Sequence, residues 1–368
     1  MLNYLSLFSG IGAPEQALKN IGIDYNLVGF SEIDKFAIKS YCKVHNVPET
    51  KNLGDISQIK IKELYDIDLI THGSPCQDFS VAGKNLGGDF NSNTRSSLMW
   101  ETVKIIEHTN PKYVLWENVK NVLSKKHIHN FNRYIQVMDQ LGYKNFYKVL
   151  NAKNFNIPQN RERIFVISIR NNINKDFTFP ESKPLMRKLK DLLEMDVDVK
   201  YYTNKAFKIV DKGDIKAEFT EGAFRANKEI YGMDNYFKCL LSGDRGQNNI
   251  LIPKWLEFPC VCASRGRNIN NPSSRVAGES TVQMIEVNTK GTSNTLTSVQ
   301  KDNYVIDRVE SDYRVRKLTP KECWRLMGFK DEQFYKAQEV CSNTQLYKQA
   351  GNSIVVNVLE EIFKNLLT

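Results

Sequence analysis

The chain of 368 residues predicts an α/β fold, a doubly wound domain with a smaller, loop-rich domain set into its second half. Three observations carry that expectation. The first half alternates short apolar runs with helix-like stretches, the pattern of strands joined by crossover helices. The alternation stops near residue 175, and a polar, turn-rich tract follows. The length is too great for one small core and comfortable for two modest domains. The expected boundaries are 1–180 plus 341–368 for the large domain and 181–340 for the small one.

Each element follows from local residues. Tyr4 to Phe8 is a strand meeting the glycine turn Ser9-Gly10-Ile11-Gly12. A helix opens at Ala13, where Pro14 is tolerated because a first-turn residue needs no intrahelical N–H bond. Asn26 to Phe30 is a strand, Lys35 to His45 a helix, and Asp66 to Thr71 a strand running into Gly73-Ser74-Pro75-Cys76. Ser96 to His108 is helical, with Pro111 just beyond its end. Tyr113 to Trp116 is a strand, Phe131 to Leu141 a helix stopped at Gly142, and Phe146 to Asn151 and Ile164 to Ile169 close the strand series. Leu318 to Phe329 reads as a helix, with Thr319 as N-cap and Glu322 three residues later. In Ile354 to Leu366, Val355, Val358, Leu359 and Ile362 recur at helical spacing, and this helix is expected to pack back on the first-half sheet.

Composition narrows the function classes. Hydrophobic residues are 41% and charged residues 25%, which excludes a mostly disordered or fibrous chain. No apolar run approaches a membrane span, and MLNYLSLFSG reads as a strand, not a signal peptide. Seven scattered cysteines argue against a disulfide framework and for a reducing cytoplasm. Cys260 and Cys262 form a lone CxC without further ligands nearby, so no metal is expected. The net charge of +9 suits a polyanion, although a merely soluble basic protein would show it too. Half the residues of 264–303 are Ser, Thr, Asn or Gly, with Arg265, Arg267 and Arg275 interleaved, and 254–301 carries +3. Such an insert suits groove contacts by loops; the plainer account is a variable surface insert.

Four places carry candidate chemistry. The glycine turn lets the backbone approach a ligand, and Glu32, at the end of the second strand, can accept ribose hydroxyls. The third glycine of the dinucleotide fingerprint is absent, which speaks against a nicotinamide enzyme. Cys76 leaves the carboxyl edge of a strand, where open α/β sheets bind ligands, and is a candidate nucleophile; most free cysteines are only small buried hydrophobes. The stretch Gln77 to Thr94 holds three glycines and could act as a lid. Glu117 also sits at a strand's end, where burial would raise its pKa and suit it to acid catalysis, or where it could be a plain N-cap. Arg161 and Arg163, two residues apart, should share a strand face and could hold a base, a phosphate or a carboxylate.

Together these residues resemble the cytosine-C5 DNA methyltransferase family, of the bacterial or phage restriction-modification type, across nearly the whole chain. Phe8 to Gly12 is similar to its S-adenosylmethionine loop, Ser74-Pro75-Cys76-Gln77 with Phe79-Ser80 to its Pro-Cys motif, and Glu117-Asn118-Val119 to its ENV motif. Gln159 to Arg163 resembles its QxRxR motif, and Arg316 to Phe329 and Gln349 to Val355 its last two. The polar insert falls where the family carries its target recognition domain. Ala13 stands in place of a frequent glycine, and Ile33 where many members have an aromatic ring.

The resemblance implies an S-adenosylmethionine-dependent methyltransferase fold. Cys76, Glu117, Arg161 and Arg163 would be catalytic. The cofactor (product S-adenosylhomocysteine) would meet Phe8, Ser9, Gly10, Gly12, Glu32, Ile33, Asp55, Ile56, Pro75, Leu98, Asn352 and Ser353. Double-stranded DNA would meet Gln77, Ser80, Arg265, Arg267 and Arg275. It further implies a monomer in the bacterial cytoplasm, with a cognate restriction endonuclease acting separately where one exists. Cytosine C5 is too poor a nucleophile to attack a sulfonium unaided. Thiolate addition at C6 makes C5 enamine-like, and the base must leave the duplex to be reached. The rivals are a tRNA cytosine-C5 methyltransferase of the same superfamily, and an inactive DNA-binding regulator. The long polar insert favours DNA, and intact Cys76, Glu117 and Arg163 favour an enzyme.

Overall fold

The computed structural model describes residues 1–75, 95–202, 208–211, 236–237, 249–252, 259–267, 276, 278–280, 282–287, 292–297, 303–309 and 312–368. Two compact units emerge: Met1–Ile157 with Arg161–Leu185 and Trp324–Thr368, and Pro158–Asn160 with Met186–Cys323.

In the first unit, strands β1 (Leu2–Leu7), β2 (Tyr25–Ser31), β3 (Leu69–His72), β4 (Tyr113–Val119), β5 (Tyr143–Asn151) and, beyond the two-residue β6 (Gln159–Asn160), β7 (Glu162–Arg170) supply one six-stranded sheet. Its order is β2-β1-β3-β4-β7-β5. Strands β1 to β4 pair in parallel, while β7 inserts antiparallel between β4 and β5. The helices are α1 (Ala13–Asn20), α2 (Lys35–His45), α3 (Met99–Thr109), α4 (Ile128–Gln140), α6 (Asp331–Gln338), α7 (Asn343–Asn352) and α8 (Val356–Leu367), with α5 (Pro320–Arg325) spanning the point in the chain where the division falls.

Local chemistry sets the boundaries. Asp34 Oδ1 accepts from the Phe36 and Ala37 amides to open α2, and left-handed Asn46 (φ 56°) closes it. Left-handed Asn110 ends α3 just before Pro111. The strand expected from Asp66 begins only at Leu69, because Asp66 itself is left-handed (φ 54°) and cannot lie in a ladder. Residues 95–98 form a 3-10 turn ahead of α3. One sheet face buries Leu5, Leu7, Ile70, Val114, Trp116 and Val166 against Met99, Val103 and Ile106 of α3 and Phe131, Tyr134 and Met138 of α4. Trp116 anchors this core, 4.4 Å from the Tyr134 ring and 6.0 Å from Phe131. Such aromatic pairs add about 0.5–1.5 kcal/mol each beyond burial. Helix α8 buries Val356, Val358, Leu359, Ile362, Phe363 and Leu366 and packs on α1.

Residues 324–340, expected with the small domain, lie in the first unit. Their aromatic anchors explain it: the buried Trp324 indole donates to the Leu346 carbonyl and packs on Phe329 and Phe334. Helices α6 and α7 in and after this stretch were not anticipated. The predicted Thr319–Glu322 cap is present in both directions, Thr319 N to Glu322 Oε2 at 2.7 Å and Glu322 N to Thr319 Oγ1 at 3.2 Å. Glu322 also takes the buried Arg316 guanidinium through two 2.8 Å bonds.

The second unit is richer in strand than "loop-rich" implies. Strands β11 (Cys260–Arg267), β12 (Val282–Val287), β14 (Tyr304–Val309) and β15 (Asp312–Lys317) form a four-stranded antiparallel sheet, ordered β12-β11-β14-β15. Short strands β8 (Lys208–Asp211), β9 (Tyr236–Phe237) and β10 (Asn249–Ile252) form a second sheet, and β13 (Ser293–Asn294) pairs with β6. The polar composition of 264–303 hides a short apolar, β-branched-rich run, Val282-Gln283-Met284-Ile285-Glu286-Val287, which forms β12 without a strict alternation to announce it.

Candidate active site

Parallel strands β1, β3 and β4 end side by side, and a cleft opens at their carboxyl edge. Phe8, Ser9, Gly10, Gly73, Glu117 and Asn352 line it with Thr71, Ser353 and Ile354. The turn leaving β1 is made by three left-handed residues, Phe8 (φ 54°), Gly10 (φ 56°) and Gly12 (φ 77°). Phe8 is the costly one, since a side chain there strains the backbone by about 1–3 kcal/mol. Glu32 holds this turn to the end of β2. Its Oε2 accepts from the Gly10 amide at 2.9 Å, and its Oε1 from the Ile33 and Asp34 amides at 2.9 Å each. A carboxylate offers about four acceptor positions, so one remains for a ligand hydroxyl. Beside it Ile33 is 71% exposed, an apolar residue facing solvent.

Across the cleft, β3 runs into Gly73-Ser74-Pro75. The buried Ser74 is fixed from β4: Trp116 Nε1 donates to Ser74 Oγ at 3.1 Å, and Asn118 Nδ2 reaches the Ser74 carbonyl at 3.3 Å. Glu117, between those two residues, is 8% exposed and pairs through Oε1 with Arg163 Nε at 3.1 Å. The pairing depends on β7 lying antiparallel beside β4, with Arg163 opposite Val119 and so diagonal to Glu117. Burial pushes the Glu117 carboxyl above its ordinary pKa, and the opposing pull of Arg163 and Arg161 does not cancel it.

The expected site residues divide. Phe8, Ser9, Gly10, Glu117, Asn352 and Ser353 meet at the cleft, with Glu32 bonded to its loop. Ile56 is a core residue, 4% exposed, and Asp55 caps the following turn by accepting from Ser57 N at 2.9 Å. Leu98 is half-buried at the start of α3, and Pro75 is half-buried after Ser74. Arg161 and Arg163 do not work as a pair on one face. Arg161 precedes β7, and its buried guanidinium donates to the carbonyls of Gly351 at 3.1 Å and Ser353 at 2.7 Å. It braces the cleft wall carrying Asn352. Cys76, Gln77, Ser80 and Arg275 lie outside the described residues. Arg265 and Arg267 occupy β11, in register with Met284 and Val282. Ser74 and Asn118, which lie in the Pro-Cys and ENV motifs, act as braces through contacts between the chain leaving β3 and β4 that neither motif signals.

Comparison with known proteins decides the family. The model of the C-5 cytosine-specific DNA methylase family matches residues 2–368. The chain belongs to that family. The methylase is 35% identical to the orphan methyltransferase M.SPRI of Bacillus phage SPR, covering 100% of the chain and 97% of the relative. It is 34% identical to the type II methyltransferase M2.ScrFI of Lactococcus lactis subsp. cremoris, covering 100% and 99%. Among solved structures, S. pombe Dnmt2 methyltransferase shares the fold at TM-score 0.63 and 18% identity over 100% of both chains. The protein is thus an α/β enzyme, a DNA cytosine-C5 methyltransferase.

The two left-handed glycines of the methylase's turn should fail differently. A Cβ on Gly12 would run into the buried His45 ring, whereas one on Gly10 meets nothing within 4 Å. Gly12→Ala is expected to cost about 2–4 kcal/mol of stability, backbone strain adding to overpacking. Gly10→Ala should cost only the strain but weaken cofactor binding, because its methyl projects into the open cleft. Thermal unfolding and calorimetric cofactor titration of both variants check this; equal losses of stability would refute the distinction.

Proposed function

We propose that this methylase transfers a methyl group from S-adenosylmethionine to C5 of a cytosine flipped out of a specific duplex sequence, with Cys76 as nucleophile. The observation that carries the reading is the buried Glu117–Arg163 pair beside the glycine-turn cleft. The residues present fit the cofactor. Gly10 leaves open space above the turn, Glu32 keeps an acceptor position, and Ile33 offers an exposed apolar face for an adenine. The bound cofactor supplies the electrophilic methyl group.

The chain's own residues do the rest. The Cys76 thiolate adds to C6, and electrons move toward N3. Glu117 donates a proton or hydrogen bond at N3, a role favoured by burial, which holds its carboxyl above the ordinary range. The Arg163 guanidinium, oriented by its Glu162 carbonyl bond at 2.8 Å, can hold the C2 carbonyl oxygen. After methyl transfer a solvent base takes the C5 proton, the C5–C6 double bond re-forms as the Cys76 thiolate is expelled from C6, and any proton given to N3 returns to Glu117. Ser74, held by Trp116 and Asn118, sets the backbone that leads to Cys76. The flipped base costs a few kcal/mol, which contacts from Gln77, Ser80 and the second unit would offset. Within the same proposal the enzyme acts as a monomer in the cytoplasm. Among the described residues no helix is long and apolar enough to cross a membrane.

Bisulfite sequencing of DNA from cells expressing the protein tests the reading and reveals the recognition sequence. Protected cytosines in one sequence context are expected; none at all, with methyl transfer to tRNA instead, would overturn it. The second unit makes a further expectation. Replacing an arginine bidentate to guanine among Arg265, Arg267 and Arg275 should cost about 1–3 kcal/mol and relax one base pair. Replacing a phosphate-contacting one should weaken all sequences alike and lower the salt slope by about one. Salt titrations of each alanine variant on cognate and scrambled duplexes separate these; three wild-type results would move the reading surface elsewhere.

A further inference from the structure

Helix α2 presents Tyr41 and His45, four residues apart and so on one face, to the underside of the glycine turn. His45 Nε2 lies 2.9 Å from the Ile11 carbonyl oxygen. A carbonyl only accepts, so Nε2 carries the proton and Nδ1 is bare. That Nδ1 is buried without a partner among the described residues. Burial holds the ring's pKa down to about 3, so it stays a neutral donor at any working pH. One turn earlier, the Tyr41 hydroxyl donates to Glu15 Oε1 at 2.8 Å, in the buried first turn of α1. Lys19 Nζ secures the His45 backbone carbonyl at 3.2 Å. The glycine turn is therefore tied to α2 once, through His45, and the helix it feeds twice, through Glu15 and Lys19.

We infer that His45 is a positioning residue for the cofactor-binding step, its Nε2–H pinning the Ile11 carbonyl and with it the left-handed turn at Gly10–Gly12. The need for a pin follows from the glycines. Ile11 lies between two residues that visit many backbone conformations at little cost. Inside the turn the Gly12 amide of the Ile11–Gly12 peptide donates to the Ser9 carbonyl at 2.9 Å. Its other end, the Ile11 carbonyl, is held from outside the turn, by His45, so that losing this second bond lets the peptide rotate more freely. Each rotated form removes a fraction of binding-competent protein, and the apparent Kd rises by that fraction. His45 touches neither the cofactor nor the reacting atoms in this account, and the cofactor's identity rests on the function proposed above.

The test uses the full chain with His45→Phe, which fills the space without a donor, and His45→Gln, whose amide nitrogen can reach about where Nε2 sits. S-adenosylmethionine Kd is measured by calorimetry, and KM and kcat by methyl transfer to DNA. His45→Phe should raise Kd and KM about 5–10-fold, the worth of one hydrogen bond, with kcat falling less than about threefold. His45→Gln should recover most of the affinity. Wild-type affinity in His45→Phe, or equal loss in both variants, would overturn the inference. If His45→Phe does not fold, 15N NMR of the unmodified protein decides. A protonated, exchange-protected Nε2 supports the pin, and a proton on Nδ1 removes the donor and ends it. Wild-type protein that fails to bind S-adenosylmethionine would sink the cofactor reading, while the tautomer measurement still judges the His45–Ile11 bond.

Discussion

Cys76→Ala is expected to abolish methyl transfer, by roughly 10⁴-fold or more, the scale on which enzymes lose turnover with their nucleophile. Without a thiolate at C6 there is no enamine, and C5 does not attack the sulfonium. Cofactor affinity should survive, because the glycine turn, Glu32 and Ile33 owe nothing to the Cys76 side chain in the proposed scheme. Folding should survive as well, since Ser74 is held by Trp116 and Asn118 of β4. A DNA carrying 5-fluorocytosine at the target sharpens the test. Fluorine cannot leave C5 as a cation, so the wild-type protein should remain covalently bound to that duplex after one methyl transfer. The alanine variant should form no such adduct. Turnover above a small percentage in the purified variant, or an adduct without Cys76, would remove the residue from the mechanism.

How far this site could be read beforehand depended on whether local chemistry fixed it. The glycine turn was legible because left-handed backbone at Gly10 and Gly12 demands glycine. Helix α2 was legible to the residue, its capping Asp34 standing just before Lys35 and its stop, Asn46, just after His45. The meeting of Glu117 with Arg163 was not, because it depends on β7 inserting antiparallel between β4 and β5, a choice made by the whole sheet. Arg161 misled for the same reason. Two-residue spacing puts it beside Arg163 only if both lie in one strand, and Arg161 stands before β7 begins, where carbonyls 190 and 192 residues away claim its guanidinium. In the second unit the polar composition concealed strands β11 and β12. The short, charged helix α6 showed little periodicity of its own; its packing comes from Phe334 meeting Trp324.

Glu117→Gln is expected to slow the chemical step by roughly 10²–10⁴-fold while keeping DNA affinity, the span typical of lost general acid assistance. Glutamine fills the same volume and can still face Arg163, so the strand pairing has no reason to fail. It cannot deliver a proton to N3. The wild-type single-turnover rate should carry the signature of the acid. Burial raises the carboxyl's pKa and the protonated form is the active one, so the rate is lost as pH rises through that pKa. In the glutamine variant this limb should vanish, leaving a low rate without that dependence. The same raised pKa ties the site to stability. A carboxyl that binds its proton more tightly folded than unfolded contributes most below its unfolded pKa and loses that contribution as pH climbs through the folded one. Denaturant titrations should accordingly show the wild type losing stability over that window relative to Glu117→Gln. A variant that lost DNA binding but kept its single-turnover rate would make Glu117 a structural partner of Arg163, and the proton at N3 would have to come from elsewhere.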